Sequence, residues 1–314
     1  MAQYVFGIDL GGTTVKIGLF HAEGNLLDKW EIPTRTEDSG KYILTDIAQS
    51  MSEAMERHGI SSTELLGAGI GVPGAVLEER FVKPCVNLNG WGGFDVAEHF
   101  SRLCHCPVKV LNDANAAALG ELWQGGGKGS ANMVLVTLGT GVGGGVIVDG
   151  KLITGIHGSG GEIGHITLQP DETEPCGCGK YGCLEQYASA TGIVRQAKKL
   201  LVEYDTPSSL RDFTPLTAKD VLDCAKAGDE LAVRVAEIFA QTLGQALVSV
   251  SCTCDPDVFV LGGGVSKAGS YIVDLVQKQF IRFAFPSAEP TRFGLAILGN
   301  DAGIYGAAKL MIDI

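Results

Sequence analysis

The hydrophobic pattern of the chain switches between strand spacing and helix spacing, and it does so twice in the same order. Apolar runs and alternations predict strands, and apolar positions three or four residues apart predict helices. The predicted elements of the first half are strands over 4–10, 15–20 and 26–32, a helix over 41–58, a strand over 66–72, a helix over 96–103, a strand over 108–111 and a helix over 114–123.

The second half begins with a strand meander again and continues with helices and strands. Its predicted elements are strands over 133–138, 144–148 and 151–153, helices over 187–203, 218–227 and 230–251, a strand over 257–261, a helix over 271–283, a strand over 294–298 and a helix over 302–311. The repeated order predicts an α/β fold of two lobes around a cleft, where small ligands bind. We place the N-terminal lobe at 1–117 and the C-terminal lobe at 118–301, with a closing helix, about 302–314, able to pack back on the first lobe.

Composition and charge narrow the function classes. Hydrophobic residues make up 45% of the 314 positions and charged residues 19%, so the chain can build a core and is not disordered. The net charge of −12 argues against a nucleic-acid partner, because nucleic-acid binding needs a basic face. We expect no membrane partner and a cytoplasmic location, since no segment has the pattern of a transmembrane span or a signal peptide.

Glycines are in excess, 44 of 314 residues, and three clusters of them directly follow predicted strands. Backbone N–H groups in such turns can approach a phosphate closely, and Asp9 at the end of the first strand can reach Mg²⁺. The candidate nucleotide-binding residues are Asp9, Gly11, Gly12, Thr13, Thr14, Lys16, Thr137, Gly139, Thr140, Gly141, Gly262 and Gly263. The turns lack the P-loop pattern, and the first leads into a strand rather than the helix of a dinucleotide-binding fold. The alternative interpretation is three ordinary hairpin turns.

A polar pair, Asn112 and Asp113, stands where a buried strand meets a helix. Asp113 can be the N-cap of the helix, or it can be a general base that takes a proton from a hydroxyl as that oxygen attacks a phosphoryl group. In the second interpretation Asn112 orients a neighbouring hydroxyl.

Three of the nine cysteines and one histidine have the composition of a structural zinc site. Cys176, Cys178 and Cys183 are spaced C-x-C-x₄-C among glycines, and His165 lies upstream. Three thiolates and an imidazole match a closed tetrahedral site. We interpret residues 155–185, which fit neither lobe pattern, as a zinc-binding insertion. The alternatives are three unrelated free thiols or a redox-active pair.

Two carboxylates flank the predicted metal ligands, Glu162 before His165 and Glu185 after Cys183. A histidine that binds zinc through one ring nitrogen offers the other to a partner. Glu162, Glu185 and His165 can therefore converge on adjacent hydroxyls of a polyol such as a sugar ring. The alternative is that Glu162 is a plain surface carboxylate.

Together these motifs resemble the ROK family of repressors, open reading frames and kinases. The resemblance rests on D-L-G-G-T from Asp9, G-x-P-G from Gly71, N-D-A-N from Asn112, G-E-I-G-H from Gly161 and C-x-C-G-x-x-G-C-x-E from Cys176, and it covers nearly the whole chain. It implies the actin/Hsp70/sugar-kinase fold with two RNase H-like lobes. It also implies an ATP-dependent hexose kinase of the glucokinase type that makes hexose 6-phosphate, uses Mg²⁺ with ATP and forms homodimers or homotetramers.

The resemblance also implies roles for individual residues. It makes Asp113 the catalytic base and gives structural zinc the ligands His165, Cys176, Cys178 and Cys183. The implied sugar contacts are Gly74, Asn87, Asn112, Asp113, Glu162, His165 and Glu185, with Asn89 as a rival to Asn87. The segment A-S-A-T-G-I-V-R, which ends at Arg195, is similar to that of glucokinases in the family.

Several alternatives remain open at the level of sequence. N-acetylmannosamine kinase, fructokinase and allose kinase share these motifs, and polyphosphate is an alternative phosphoryl donor. A sugar-sensing regulator without catalysis is an alternative of another class. A zinc hydrolase is a third class, but it needs an open metal position, which four protein ligands do not leave.

Overall fold

Two five-stranded sheets form the framework of the protein. The computed structural model describes residues 3–312. Across the first sheet the strands are, in order, β3 (Leu26–Pro33), β2 (Thr14–His21), β1 (Tyr4–Leu10), β4 (Leu65–Val72) and β8 (Val108–Asn112). Across the second sheet they are β11 (Lys151–Leu152), β10 (Val142–Val148), β9 (Met133–Leu138), β12 (Val258–Gly262) and β13 (Arg292–Leu295).

The two sheets share one topology, in which an antiparallel meander is extended by two parallel strands. β4 is buried along almost its whole length, as expected for a parallel strand covered on both faces. β3 lies at a sheet edge and alternates half-buried and exposed residues, with Lys29 and Glu31 on the exposed side. The prediction of a mixed α/β fold from two repeated element orders is confirmed.

A small third sheet was not predicted. It consists of β5 (Val76–Leu77), β6 (Phe81–Val82) and β7 (Phe94–Asp95), paired antiparallel in that order. Each strand has two residues, which is too short for an alternation of apolar and polar positions to register in the sequence.

The predicted helices are present in the predicted order, with shifts at their ends, and the short helix α1 (Glu37–Gly40) was not predicted. The others are α2 (Ile43–His58), α3 (Val96–Cys104), α4 (Asp113–Gln124), α5 (Glu185–Ala188), α6 (Ala190–Glu203), α7 (Ala218–Lys226), α8 (Glu230–Cys254), α9 (Ser270–Phe283) and α10 (Ala302–Ile312). Of the predicted closing helix, positions 313 and 314 lie outside the described residues.

Two predicted elements differ from the structure for identifiable reasons. The helix predicted over 187–203 is two helices, because Ser189 adopts an extended conformation and its side chain caps α6 by accepting from the N–H of Gly192. The strand predicted over 294–298 ends earlier, at Leu295. The N–H groups of Ile297 and Leu298 instead bond to the carboxylate of Glu121, which takes this segment out of the sheet.

α8 is the longest helix among residues 3–312 and the centre of the larger hydrophobic core. By length and composition it could cross a membrane, and it is the one described helix of which this is true. Most of it is buried inside the protein, and core helices of soluble proteins pass the same test. It is therefore weak evidence for a membrane span.

α4 and α10 pack tightly on each other, and α10 also packs on β1 and β4 of the first sheet. Glycines allow the close approach. A Cβ atom at Gly306 would lie 1.6 Å from the carbonyl oxygen of Ala116, and one at Gly69 would lie 1.8 Å from that of Ala307. The predicted boundary at 117–118 falls inside α4. The division into two lobes at this point stays a prediction.

Candidate active site

A cavity of about 550 Å³ lies between the ends of β1 and β9, one strand from each large sheet. Both strands end in a glycine turn, so backbone and side chains from the two sheets face each other across the cavity. Predicted site residues from distant parts of the sequence line it: Asp9, Lys16, Gly74, Asn87, Asp113, Thr137, Gly139, Gly141, Glu162, His165, Glu185 and Gly263. A larger hollow of about 750 Å³ lies on the outer face of α6 and is lined by none of them.

The remaining predicted residues lie beside this cavity rather than in its wall. Asn112 lines a small adjoining cavity of about 100 Å³ together with Asp113 and Glu162. Gly262 lines a second cavity of about 300 Å³, which shares Thr137 and Gly263 with the first. The others do not line either cavity: Gly11, Gly12, Thr13, Thr14 and Thr140. The turn of Gly11, Gly12 and Thr13 still borders the site, because a Cβ atom at Gly12 would lie 3.2 Å from the carbonyl oxygen of Asn87. Thr140 lies in the other turn, between Gly139 and Gly141, which both line the cavity.

The start of α4 shows that Asp113 is not the N-cap of this helix. The cap is Asn112, whose Oδ1 accepts from the N–H groups of Ala114 and Asn115 at 3.0 and 3.2 Å. Asp113 is the first residue of the helix, and its Oδ1 accepts from Asn112 Nδ2 at 2.9 Å and from the N–H of Ala114 at 2.8 Å. Its carboxyl lines the cavity, and burial raises its pKa.

Asp9 and Asp113 both line the cavity, and the charge of Asp113 acts on the carboxyl group of Asp9. Burial, and then the charge of Asp113, raise the pKa of Asp9 to about 6, and the charge of Lys16 partly offsets this. Lys16 itself donates to the carbonyl oxygen of Asn300 at 2.9 Å. Carboxylates that repel each other in a polar cavity fit a divalent cation, which relieves the repulsion and prefers oxygen ligands.

The raised pKa of Asp9 predicts a pH-dependent cost to stability. Its usual pKa is 3.8, so the folded state holds a proton more tightly than the unfolded state, and the cost grows as pH rises from about 4 to about 6. Asp9→Asn removes this cost. In Mg²⁺-free buffer we expect the variant to be more stable than wild type by about 1–3 kcal/mol at pH 8, and by much less at pH 4. Urea unfolding at the two pH values measures this, and an equal difference at both would contradict it.

The four predicted metal ligands converge in one cluster. The ligand atoms of His165, Cys176, Cys178 and Cys183 all lie within 4.8 Å of one another. The imidazole Nδ1 lies 3.8 Å from the sulfur of Cys176, and the sulfurs of Cys178 and Cys183 are 3.7 Å apart. Glycine makes the loop possible, since Gly182 has a φ of +70° and a Cβ there would lie 1.8 Å from a carbonyl oxygen. Three thiols and an imidazole at this spacing fit a tetrahedral zinc ion.

The two flanking carboxylates, Glu162 and Glu185, lie beside this cluster. With Nδ1 of His165 facing the thiols, its Nε2 lies 3.8 Å from Glu162 Oε2. Glu185 Oε2 accepts from the N–H of Val142 at 3.0 Å, and its other oxygen lies 3.6 Å from the sulfur of Cys176. A Cβ at Gly141 would lie 2.1 Å from this carboxylate, so the glycine is required for the contact. Glu185, at the end of the predicted zinc-binding insertion (residues 155–185), is thus hydrogen-bonded to the end of the β9–β10 turn.

Sequence reasoning missed the side chains that hold the 155–185 segment against α6. Glu172 accepts from the hydroxyl of Tyr187 at 2.6 Å and from Arg195 Nη2 at 2.5 Å, and Arg195 Nε donates to Glu174 at 2.5 Å. Burial acts to raise the pKa of Glu172, but the bonds from Tyr187 and Arg195 outweigh it and hold the pKa at about 2. Arg195 is the last residue of the segment that is similar to that of glucokinases in the family, but this resemblance did not indicate that Arg195 binds Glu172 and Glu174.

The cavity is also lined near α10, by Gly299, Asn300, Ala302 and Gly303. Sequence reasoning missed these residues as well. The only signal was a glycine before a helix, which is common in loops of any function. In the structure, Gly303 lies against Asp9, because a Cβ there would be 2.8 Å from the carboxyl carbon.

Comparisons with known proteins extend over the whole chain. The model of the ROK family matches residues 5–314. A glucokinase of Halalkalibacterium halodurans is 42% identical over 314 residues, covering 98% of this chain and 95% of that protein. A solved ROK hexokinase from Thermus thermophilus has a TM-score of 0.81 at 33% identity, covering 97% of this chain and 96% of that one.

A second solved structure contains ligands. It is a ROK family glucokinase from Streptomyces griseus in complex with glucose and AMPPNP, with a TM-score of 0.76, 33% identity and 98% of each chain covered. The match to the family model and the relatives above 30% identity confirm the resemblance that the motifs indicated. The chain belongs to the ROK family.

Proposed function

We propose that the protein is a glucokinase, which transfers the γ-phosphoryl group of ATP to the 6-hydroxyl of D-glucose. The observation that carries the proposal is the convergence of Asp113, Glu162, His165 and Glu185 in one cavity that also meets glycine turns from both sheets. Similarity to glucokinases along the full chain supports the same conclusion. The hydroxyl acceptor and the phosphoryl donor then occupy neighbouring parts of one site.

Asp113 is the proton acceptor in this mechanism. Its Oδ1 is held by Asn112 and by the N–H of Ala114, which fixes the carboxylate at the start of α4. It takes the proton of the 6-hydroxyl as that oxygen bonds to the γ-phosphorus and the bond from phosphorus to the ADP oxygen breaks. Burial raises the pKa of Asp113 above its usual value, which makes its carboxylate a stronger base.

The sugar is bound by acceptors and donors that suit a neutral polyol. Glu162 and Glu185 accept from ring hydroxyls, and His165 Nε2 and Asn87 supply further polar contacts. Asn87 lines the cavity, which favours it over Asn89 as the sugar contact. Asn112 and Gly74 are two further proposed sugar contacts. Asn112 Nδ2 donates to the carbonyl oxygen of Gly74 at 3.2 Å, which holds the two residues together.

The nucleotide occupies the other part of the site. The turns at Gly11 and Gly139 hold the phosphates through backbone N–H groups, and the second cavity beside Gly262 and Gly263 takes the adenosine. Asp9 would hold Mg²⁺, whose charge neutralises the phosphate oxygens when it is bound. Lys16 adds a positive charge on the same side.

The cysteine cluster takes one structural zinc ion on His165, Cys176, Cys178 and Cys183. Zinc bound there supplies no catalytic step, because four protein ligands leave no open position. Its effect on the sugar is indirect: it orients His165 and fixes the loop that carries Glu162 and Glu185. This argues against the zinc hydrolase alternative. We further propose a cytoplasmic homodimer or homotetramer.

The test is a panel of sugars assayed with Mg²⁺-ATP and a coupled measurement of ADP. Glucose is expected to have the highest kcat/KM among glucose, mannose, fructose, allose, N-acetylglucosamine and N-acetylmannosamine. A buried polar site that leaves a substrate group unpaired can reject that substrate by about 10⁴-fold. A higher kcat/KM for an N-acetyl sugar or a ketose would contradict the glucokinase assignment. Sugar binding without turnover, with either ATP or polyphosphate, would instead favour a sugar-sensing regulator.

A further inference from the structure

Glu121, near the end of α4, is a fully buried carboxylate that the proposed mechanism does not use. A buried carboxylate is costly unless hydrogen bonds replace the water it has lost. Glu121 Oε2 accepts from the N–H groups of Gly126 and Ile297 at 2.7 and 3.1 Å, and Oε1 accepts from the N–H of Leu298 at 2.9 Å. One side chain therefore holds two loops that are far apart in sequence.

The first of these loops begins with a run of three glycines, at 125–127. A Cβ atom at Gly125 would lie 2.0 Å from Glu121 Oε2, and a Cβ at Gly126 would lie 2.4 Å from the carbonyl oxygen of Leu295. Side chains at these two positions are incompatible with the contact. The glycines let the backbone wrap closely around the carboxylate.

The second loop forms part of the wall of the second cavity, the one assigned to adenosine. Glu121 and Ile297 both line that cavity, as does Gly263. The helix that ends beside Glu121 begins at Asp113. α4 thus connects the proton acceptor, at one end, with the nucleotide wall, at the other.

We propose that Glu121 is a positioning residue for the nucleotide, and this inference rests on the proposed kinase function. Its carboxylate fixes residues 297–298 against α4, which sets the distance between the adenosine wall and the proton acceptor. Phosphoryl transfer depends on such placement, since positioning supplies much of its rate. The proposed sugar contacts lie on residues 155–185, at Gly74 and Asn87, and at the start of α4, and the hydrogen bonds of Glu121 reach none of them.

Glu121→Gln is the most conservative change that breaks this arrangement. An amide oxygen can replace Oε2 and accept from Gly126 and Ile297, but the NH₂ group then faces the N–H of Leu298. Two donors cannot bond to each other, so the 297–298 segment moves away from α4. We expect the KM and the Kd for ATP to rise about tenfold or more, as for loss of a buried hydrogen-bond partner, and the KM and Kd for glucose to stay unchanged.

Two further variants separate positioning from general stability. Gly125→Ala leaves Glu121 in place but pushes a methyl group into its carboxylate, and it is expected to produce the same selective loss of ATP affinity. Thr242→Val is the control. Thr242 is 4% exposed and donates to the carbonyl oxygen of Ile238 at 2.7 Å within α8, so this variant removes a buried hydrogen bond outside both cavities.

Calorimetry with ATP and with glucose, together with steady-state kinetics, gives the result for each variant. A selective loss of ATP affinity in Glu121→Gln and Gly125→Ala, absent in Thr242→Val, supports the inference, and Gly125→Ala alone decides it if the first variant does not fold. Unchanged ATP affinity, or equal losses for ATP and glucose, overturns it. A wild-type protein that binds ATP but phosphorylates no sugar contradicts the proposed function, while the ATP affinities still decide the role of Glu121.

Discussion

Asp113→Asn is expected to lower the kcat for glucose phosphorylation by about 10²–10⁴-fold while the protein keeps its fold and its affinity for glucose. The asparagine oxygen can still accept from the N–H of Ala114, and the cap of α4 belongs to Asn112, so the helix start is preserved. The variant loses only the ability to take up a proton. Initial rates at saturating ATP and glucose, with glucose affinity from calorimetry, give the result.

A matched control for this variant is Asp229→Asn. Asp229 caps α8 by accepting from the N–H of Ala232 at 3.0 Å and does not line the candidate cavity. Asparagine is also a good N-cap, so we expect the control to leave kcat unchanged. If Asp113→Asn kept its kcat within about tenfold of wild type, the residue would not be the general base.

Cys178→Ser is expected to reduce zinc content and glucose affinity together. Wild type should contain about one zinc ion per chain, as a closed four-ligand site requires. Removing one thiolate weakens zinc binding, and the segment that positions His165 and Glu185 then becomes more mobile. Because changes around a metal site cost about 10–100-fold in metal affinity or activity, we expect the Kd for glucose to rise by about tenfold or more.

Elemental analysis and calorimetry on the same samples measure this prediction. Cys252→Ser is the control, since that cysteine is exposed on α8 and lies outside the cluster. It is expected to keep its zinc and its glucose affinity. Full activity in a protein shown to be free of zinc would mean that the cluster does not support the sugar site.

The sequence predicted those parts of the fold and site that depend on local pattern. The spacing of apolar residues located the strands of the two large sheets and the long helices. A strand or helix that buries one face must place its apolar residues at a fixed spacing along the chain. The cysteine spacing located the ligand cluster for a similar reason, since four ligands must reach one point. Asp113, Glu162 and Glu185 were predicted because each stands directly beside such a pattern, and all three line the cavity.

The features that sequence reasoning missed depend on contacts between distant segments. Glu121 stands in an ordinary helical pattern, and only its contact with residues 297–298 shows why β13 ends early. Arg195, on α6, holds the predicted zinc-binding insertion through ion pairs with Glu172 and Glu174. These carboxylates lie in a separate segment, too far from Arg195 in sequence for a helical spacing to indicate the contact. The N-cap of α4 is Asn112 and not Asp113. Asparagine and aspartate are both good N-caps, so the sequence alone does not decide between these neighbouring residues.

The most direct test of the proposed phosphoryl transfer is ³¹P nuclear magnetic resonance of a reaction of the wild-type protein with Mg²⁺-ATP and glucose. The account predicts that the γ-phosphorus signal of ATP decays as one new signal grows, that of a phosphate ester on the 6-hydroxyl of glucose, with ADP formed in equal amount. Asp113→Asn should show neither change on the same timescale. Formation of inorganic phosphate alone, or of an ester at another hydroxyl, would contradict the account.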